Sequence, residues 1–362
     1  MNGLPPARPD PTGNKLAYVA YRQEWLDLHR EEAIEPALPI VDAHHHLYEK
    51  PRPRYLFADL LADAACGHNI VATVYMQSLS MYRQDGPEHL RSVGETEFAN
   101  GYAAMAASGV YGPVRACAGI VGLGQLDIEP AKVGEALDAH IRAGNGRFRG
   151  VRHITFWDAD PRVQPPSPDR TPGMLGDARF RAGFALLAPR RLSFDAYVCF
   201  PQLPELADLA RRFPGTAIVL NHLGGPVGAG PYAARDAVFE QWSASLRDLA
   251  RLPNVAVKIG GLGMRVMGFA FHDRDVPPTS MELAEAWKPW VEETIQSFGP
   301  GRCMFESNFP PDRGSFSYGV LWNAFKRLAV GYAAHERAEL FSGTAARVYR
   351  LNLPAFHAKG ST

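Results

Sequence analysis

Eight short apolar runs, separated by longer segments with helical spacing, constrain the fold of this chain more than any other feature. Buried strands of a parallel sheet are nearly continuous in apolar residues, and helices between them supply the crossover connections. The pattern therefore predicts an α/β protein built as a (β/α)8 TIM barrel, although an open doubly wound sheet would look similar. The eight runs are LPIVDAHHH, NIVATVYM, VRACAGIVG, FRGVRHITF, LSFDAYVCF, TAIVLNHLG, NVAVKIGGL and RCMFESNF.

The length of the chain is compatible with one domain, because α/β barrels commonly reach this size. We predict an N-terminal arm over residues 1–36, the barrel over residues 37–352 and a C-terminal tail over residues 353–362. Three of the connections that follow strands are long, and they begin at Ser78, Trp157 and Met267. Long loops are commonly functional, and all three would lie at the end of the barrel where such enzymes bind substrates.

Composition argues against several classes of protein. The 38 basic and 38 acidic residues give a formal net charge of zero, which disfavours nucleic acid as a partner. No stretch approaches the roughly 18 apolar residues of a membrane-spanning helix, so we expect no membrane partner. Four cysteines lie far apart without a C-x-x-C pair, so we expect reduced, buried thiols in a cytoplasmic protein.

The strongest local motif is the run Asp42-Ala43-His44-His45-His46 at the end of the first predicted strand. Alternate side chains of a strand share a face, so Asp42, His44 and His46 should point one way and His45 the other. Two neutral imidazoles at a barrel mouth are suited to bind zinc or a similar ion. The alternative is that they only form hydrogen bonds there.

Polar residues also end the sixth and eighth predicted strands. His222 follows an apolar run in NHLGGP and would face the same mouth as the first two histidines, unless its role is structural. Glu306 and Asn308 share a face of the eighth strand, and Asp312 lies just beyond it. A carboxylate inside a barrel would bind metal or act as a base with a shifted pKa, or else pair with a buried cation such as Lys258.

The remaining candidates lie on strands four, five and seven. Arg152 and His153 point to opposite sides of strand four, and the sequence does not decide which faces inward. An inward arginine would bind a substrate carboxylate through two hydrogen bonds. Asp195 and Tyr197 share a face of strand five, and Lys258 ends strand seven. Each of these could contact substrate, form an ion pair or simply pack.

Other features carry less functional information. Glu95 and Glu97 most simply open a helix, where a carboxylate is stabilised by the N-terminal dipole. The chain has no G-x-S-x-G elbow, no P-loop and no dinucleotide-binding fingerprint. Readings as a serine hydrolase, a nucleotide triphosphatase or a dehydrogenase therefore have little support.

Together, these motifs resemble the amidohydrolase superfamily, specifically the amidohydrolase-related branch that contains sugar-acid lactonases and 2-pyrone-4,6-dicarboxylate hydrolase. The resemblance extends from about Leu38 to Leu351. The motifs are VDAHHHLY, GETEFANGYAAMA, RFRGVRH, FDAYVCFPQLPELADLARRFPGTAIVLNHLGGP, NVAVKIGGLG and MFESNFPPD.

The resemblance implies that His44 and His46 match the strand-one histidines of the family and that His222 matches the strand-six histidine. The family usually has an aspartate after strand eight that takes the proton of water, but Asn308 is at that position here. An amide oxygen coordinates metal weakly and cannot accept a proton at neutral pH. The usual strand-five histidine is also missing, and Asp195 is near its place. These departures favour one divalent metal ion, zinc before others, or no metal, over a two-metal site.

The resulting hypothesis is a hydrolase that opens a lactone or related cyclic ester of a small sugar acid or aromatic-derived acid by attack of activated water. The candidate metal ligands are His44, His46, His222 and Glu306. The candidate proton acceptors in place of Asn308 are Glu306, Asp312 and Asp195. The candidate substrate-binding residues are Arg152, His153, Tyr197 and Lys258, with Arg152 holding a carboxylate and His153 or Lys258 steadying the oxyanion.

Two alternatives remain open from the sequence. One is a metal-dependent, non-oxidative decarboxylase of a hydroxylated aromatic acid, which the same superfamily also contains. The other is a barrel that has lost catalysis and serves as a binding protein. In each case the expected partner is a small carboxylate or lactone, and the N-terminal arm either packs on its own barrel or wraps a second subunit of a homo-oligomer.

Overall fold

The computed structural model describes residues 19–49, 54–163 and 171–353. Eight of its strands form one sheet in which each strand pairs in parallel with the next along the chain. The strands are β1 (Pro39–His45), β2 (Asn69–Met76), β3 (Arg115–Leu123), β4 (Phe148–Ile154), β5 (Ser193–Tyr197), β6 (Ile218–Leu220), β7 (Val255–Ile259) and β8 (Cys303–Phe305). A small antiparallel pair, Tyr48–Glu49 with Arg54–Tyr55, follows β1.

Helices occupy the segments between the strands. They are α1 (Gln23–Leu26), α2 (Phe57–Ala64), α3 (Val93–Ala107), α4 (Pro130–Ala143), α5 (Ala178–Phe184), α6 (Leu203–Arg212), α7 (Arg235–Ala250), α8 (Ser280–Phe298), α9 (Tyr318–Leu328), α10 (Ala334–Ala338) and α11 (Thr344–Val348), with a π-helical segment, Glu339–Gly343, before α11. No helix in the described ranges is long and apolar enough to cross a membrane.

The sheet closes into a barrel between its first and last strands. At this seam His45 pairs with Phe309, the N–H of His46 donates to the carbonyl of Phe309 at 2.8 Å, and the N–H of Asn308 donates to the carbonyl of His44 at 2.9 Å. The predicted (β/α)8 TIM barrel is therefore confirmed, and the open doubly wound sheet is excluded.

Local sequence explains where the helices begin and which side they bury. Thr279 begins α8 with a capping box, in which its hydroxyl accepts the N–H of Glu282 at 3.2 Å and Glu282 accepts the N–H of Thr279 at 2.8 Å. In α6 the i, i+3, i+4 spacing of Leu203, Leu206 and Ala207 puts these side chains on one face, and all three are buried. Burying each such leucine contributes about 1.5–3 kcal/mol to stability.

Two apolar clusters divide the core. The larger one lies between the sheet and the surrounding helices, and the smaller one fills the inside of the barrel. Tyr349, just after α11, belongs to the inner cluster and is completely buried. The inner cluster consists of Val41, Ala43, Ala72, Val74, Met76, Val121, Val219, Ala256, Met304, Ala345 and Tyr349.

A β-bulge in β1 changes which side chains face the interior. From Asp42 to His45 the chain advances three residues while the paired β2 advances only two, from Thr73 to Tyr75. One extra residue reverses the alternation of side chains, so the predicted common face of Asp42 and His44 is wrong. Asp42 instead accepts hydrogen bonds from the hydroxyl of Tyr318 in the outer helix α9, at 2.9 Å.

Asp42 joins the two strands of the closing seam. Its carboxylate accepts the N–H of Ser307 at 2.8 Å and the Ser307 hydroxyl at 2.6 Å, and it also accepts the N–H of His44 at 3.2 Å. The side chain is completely buried, and burial raises the pKa of this carboxyl to about 6. A side chain thus holds β1 and β8 together where the backbone ladder is short.

The described part of the N-terminal arm, from residue 19 onward, packs on the barrel. The indole of Trp25 donates to the carbonyl of Arg274 at 3.0 Å, in the long loop after β7. The Lys326 ammonium of α9 donates to the carbonyls of Ile34 and Glu35 at 2.7 and 2.8 Å. The predicted boundaries at residues 36 and 353 stay predictions, and residues 1–18 and 354–362 lie outside the described ranges.

Candidate active site

The two outer histidines of the H-x-H motif meet at the end of β1. The Nε2 atoms of His44 and His46 lie 3.1 Å apart, and both side chains are almost completely buried. The Nδ1 of His46 is 2.9 Å from the carbonyl oxygen of Met76, to which it donates, so its Nε2 carries the free lone pair. Burial lowers the pKa of both rings well below the usual value, and the positive charges of Lys258 for His44 and of Arg152 for His46 add to the effect. Both imidazoles are therefore neutral.

His222 and Glu306 complete the group from β6 and β8. The Nδ1 of His222 donates to Oε1 of Glu306 at 2.6 Å, and the backbone N–H of His222 approaches the same oxygen at 3.2 Å. The other oxygen, Oε2, lies 2.7 Å from Nδ1 of His44 but receives no hydrogen bond. The rings of His44 and His222 are 4.7 Å apart between centroids. The structure thus brings together the four residues that the sequence named as metal ligands.

Two consecutive glycines after β7 make room for this group. A Cβ atom added to Gly260 would collide with the side chain and carbonyl of Glu306, and one added to Gly261 would collide with the ring of His222. Gly261 also has a φ of +69°, a backbone conformation that side chains disfavour. His222 and Asn308 themselves have positive φ values of 53° and 52°, the kind of local strain that concentrates at functional sites.

Asn308, at the position of the usual aspartate, is held by Asp312. Its Nδ2 donates to Oδ1 of Asp312 at 2.8 Å, while Oδ2 of Asp312 accepts the N–H of Gly263 at 2.9 Å. Both side chains are buried, and burial raises the pKa of Asp312 to about 8. Asp312 is therefore mainly protonated at neutral pH and orients the amide of Asn308.

A second polar layer lies deeper in the barrel. Oδ1 of Asp195 accepts hydrogen bonds from Asn221 at 3.0 Å and from the Tyr349 hydroxyl at 2.7 Å, and it lies 2.9 Å from the ammonium of Lys258. Asp195 and Lys258 have no solvent exposure. Of the alternatives left open by the sequence, the ion pair is the one observed, and Lys258 pairs with Asp195 rather than with Glu306.

On β4, Arg152 faces inward and His153 outward. Nη1 of Arg152 is 3.4 Å from Nε2 of His44, and its Nε donates to Oε1 of Gln77 at 3.0 Å. His153 packs edge-on against Phe180 of α5, so the structure does not bring it to the histidine group. Tyr197 stays a mouth residue, with its ring edge-on to His222 at 5.2 Å between centroids.

Sequence reasoning missed the part played by the loop after β2. Glu95, expected only to open a helix, is 1% exposed, and its Oε1 accepts hydrogen bonds from the hydroxyls of Tyr75 and Ser78 at 2.9 and 2.8 Å. Gln77 adds the contact with Arg152 described above. Glu97, by contrast, is exposed and pairs with Arg83. Only the unusual placement of an acid near a long loop could have suggested Glu95.

A family model described as amidohydrolase matches residues 41–351, which span the barrel and every residue of the site. The chain belongs to the amidohydrolase family. It is accordingly a hydrolase that acts on a small molecule. An uncharacterized Sinorhizobium fredii protein, y4mH, is 34% identical to this amidohydrolase over 87% of the chain and 99% of its own length.

Further relatives and solved structures agree with this assignment. An L-fucono-1,5-lactonase of Burkholderia multivorans is 31% identical over 58% of this chain and 65% of its own length, so the chain matches just under two thirds of that enzyme. A crystal structure of a Burkholderia multivorans amidohydrolase with bound zinc has 25% identity and a TM-score of 0.65, covering 87% of this chain and 99% of that one. A putative 2-pyrone-4,6-dicarboxylic acid hydrolase of Pseudomonas putida, at 17% identity and a TM-score of 0.57, shares the fold.

The donor set fits one divalent metal ion. Ligand atoms of His44, His222 and Glu306 all lie within 4.8 Å of one another, and His46 adds a further imidazole nitrogen. Imidazole nitrogens and a carboxylate oxygen are the ligands that zinc takes in catalytic sites. The Oε2 atom of Glu306 is buried without a hydrogen bond, which is costly unless a cation or proton is its partner.

Proposed function

We propose that this amidohydrolase opens the ring of a lactone, or of a related cyclic ester of a small sugar acid or aromatic-derived acid, by attack of water. The single observation that carries the proposal is the convergence of three imidazoles and the Glu306 carboxylate at one end of the barrel, beside Arg152. The lactonase name of the Burkholderia multivorans relative supports the same reaction.

In this proposal His44, His46 and His222 hold one divalent ion, and Glu306 lies beside it. The donor atoms are of the kind that zinc prefers. Such an ion, when bound, lowers the pKa of a coordinated water toward neutrality and polarises a carbonyl oxygen. Glu306 takes the proton of the attacking water through Oε2, the oxygen that receives no hydrogen bond. Asn308 cannot do so, because an amide is not a base at neutral pH.

The other carboxyl groups are less suited to accept this proton. Asp195 is held by Lys258, Asn221 and Tyr349, all of which contact the same oxygen, Oδ1, in the deeper layer. Asp312 already carries a proton at neutral pH, because burial raises its pKa to about 8. Arg152 binds a carboxylate or ester oxygen of the substrate through its guanidinium, which lies next to His44.

A substrate panel tests the proposal. Purified protein is assayed on lactones and on hydroxybenzoates, before and after treatment with a chelator and after zinc is restored. Ring opening that the chelator abolishes and zinc restores is the expected result. Release of carbon dioxide from hydroxybenzoates without ring opening would replace the proposal with a decarboxylase, and no turnover of either class, in protein without bound metal, would favour a barrel that only binds.

A further inference from the structure

The loop after β2 carries buried polar groups whose hydrogen bonds are incomplete. Oε1 of Gln77 accepts from Arg152, and the side chain is fully buried. Its Nε2 makes no hydrogen bond of normal geometry, although the Tyr82 hydroxyl approaches the Gln77 side chain. Glu95 uses Oε1 for Tyr75 and Ser78, but Oε2 has no partner. The hydroxyl of Ser80, a residue 8% exposed, is also without a partner. One donor and one hydroxyl are thus left over in the loop, and one acceptor in the first turn of α3, which follows it.

The backbone of this loop is strained around the same groups. Leu79 and Met81, on either side of Ser80, have φ values of 59° and 58° although neither is glycine. A residue in this region costs about 1–3 kcal/mol and persists only where the surrounding structure enforces it. The N–H of Gln77 donates to the carbonyl of Val121 in β3 at 2.8 Å, which fixes the start of the loop. Strain and unpaired polar groups in one place indicate a binding role rather than a packing role.

Arg152 connects this loop to the histidine group. Its guanidinium contacts both the side chain and the carbonyl of Gln77 on one side, and its Nη1 is 3.4 Å from Nε2 of His44 on the other. Met81 and Tyr82 are each 36% exposed and form the rim of the loop. A molecule held at His44 and Arg152 would therefore extend toward Gln77, Ser80 and Glu95.

We propose that Gln77, Ser80 and Glu95 form a subsite for the hydroxyl groups of a polyhydroxylated substrate, which selects a sugar-acid lactone over an aromatic one. The inference rests on the proposed function, because it takes the reacting ring to bind at the histidine group. Nε2 of Gln77 donates to one substrate hydroxyl, and Oε2 of Glu95 accepts from it or from its neighbour. Each buried polar group left unpaired costs about 1–3 kcal/mol. A ligand with hydroxyl groups can pair these groups and so binds more tightly than a ring without hydroxyls.

The experiment compares two lactones with the same ring, glucono-1,5-lactone with its hydroxyls and δ-valerolactone without them. We measure the ratio of their kcat/KM values in the wild type, in Ser80→Ala and in Glu95→Gln, after subtracting uncatalysed hydrolysis. The ratio should exceed about 100 in the wild type and fall about tenfold or more in each variant, as expected when a hydroxyl loses its hydrogen-bonding partner. The Ser80 hydroxyl has no hydrogen-bond partner in the protein, so its removal breaks no hydrogen bond of the fold. If Ser80 had only a structural role, Ser80→Ala would therefore leave the ratio unchanged.

Ser92→Ala is the matched control, because Ser92 ends the same loop, immediately before α3, but its hydroxyl already bonds to the ring of His140 at 3.2 Å. A ratio that stays at the wild-type value in both variants overturns the proposal, whether or not the absolute rates fall. If the wild type opens neither of these two lactones, binding of gluconate is measured by calorimetry instead, and the proposed function is decided separately by the full substrate panel. Binding that Ser80→Ala weakens would support the subsite independently of the reaction, and absence of binding would overturn it.

Discussion

The inside of the barrel holds two buried polar layers that differ in how their groups are partnered. In the deeper layer, Asp195 gathers Lys258, Asn221 and Tyr349 on one oxygen, so opposite charges are paired within the protein. In the layer at the mouth, two neutral imidazoles face each other and Glu306 keeps one oxygen without a hydrogen bond. The deeper layer thus pairs its charges within the protein, although Oδ2 of Asp195 and Oδ1 of Asn221 have no hydrogen bond. In the mouth layer, no lysine or arginine of the described residues forms an ion pair with Glu306. Buried charge and unpaired polar atoms therefore do not by themselves mark a functional site, whereas neutral imidazoles around a carboxylate without a cationic partner do.

The largest expected effect comes from the mouth layer. Glu306→Gln keeps the shape of the side chain but removes the proton acceptor, so kcat should fall about 100- to 10,000-fold while the fold survives. Steady-state kinetics on the best lactone of the panel, with circular dichroism and zinc content, measure this. Glu97→Gln is the control, since Glu97 is an exposed glutamate that pairs with Arg83. Unchanged turnover in Glu306→Gln would remove Glu306 from the mechanism.

The deeper layer should affect stability rather than chemistry first. Lys258→Met leaves the Asp195 carboxylate buried without its cation, and breaking such a pair costs about 3–5 kcal/mol of unfolding free energy. Urea denaturation measures the loss, and the double variant with Asp195→Asn should recover part of it. Arg247→Met, which breaks an exposed pair with Glu293, should cost less than about 1 kcal/mol. Similar losses in the two single variants would mean that the deeper ion pair stabilises no more than a surface one.

A smaller effect is expected from Arg152, which lies next to His44 and is proposed to bind the substrate. Arg152→Met should raise KM for substrates that carry a carboxylate about 10- to 100-fold, as for the loss of a charged hydrogen bond, and should change KM for uncharged lactones much less. Progress curves on charged and uncharged lactones of one ring size separate the two cases. Equal changes in KM for both would indicate that Arg152 orients Gln77 and His44 and does not bind the carboxylate.

The smallest effect is a pH dependence of stability set by Asp312. Burial raises its pKa from 3.8 to about 8, so between these pH values the folded protein holds a proton that the unfolded chain releases. This contribution is complete near pH 4 and is lost as the pH rises through 8, so the unfolding free energy falls, by at most about 1.4 kcal/mol per pH unit. Asp312→Asn should flatten the decline between pH 6.5 and 9 in urea denaturation. Parallel curves for the two proteins would assign the decline to other groups.

The sequence was sufficient for the barrel and for the histidine pair, because both depend on local patterns. Apolar runs and helical spacing report burial directly. The bulge in β1 changes the direction of Asp42, but His44 and His46 still meet, as their spacing predicts. The position of Asp42 could not be predicted, since the extra residue in β1 is visible only against its neighbour β2. Whether Arg152 or His153 faces inward depends likewise on the register of β4 with β5. In that register the backbone of Arg152 lies opposite the backbone of Asp195.

Loop residues were the least predictable part of the site. Glu95 lies at the start of a helix, where a carboxylate needs no further explanation, and only the three-dimensional approach of Tyr75 and Ser78 gives it another role. Gln77 has no sequence signature at all. Both owe their position to a strained loop whose course depends on contacts with β3 and β4, and no spacing rule contains those contacts.

Gly260 and Gly261 show that a reactive centre is also defined by atoms that are missing. A single methyl group at either position would overlap Glu306 or His222, so the segment after β7, which contributes no ligand itself, decides how closely His222 and Glu306 can approach. Engineering of this enzyme for new substrates can change its loops, but that dipeptide must stay. In distant sequences of the same architecture, a Gly-Gly pair after the seventh strand would indicate that side chains from the sixth and eighth strands pack closely there. This indication does not depend on the histidines.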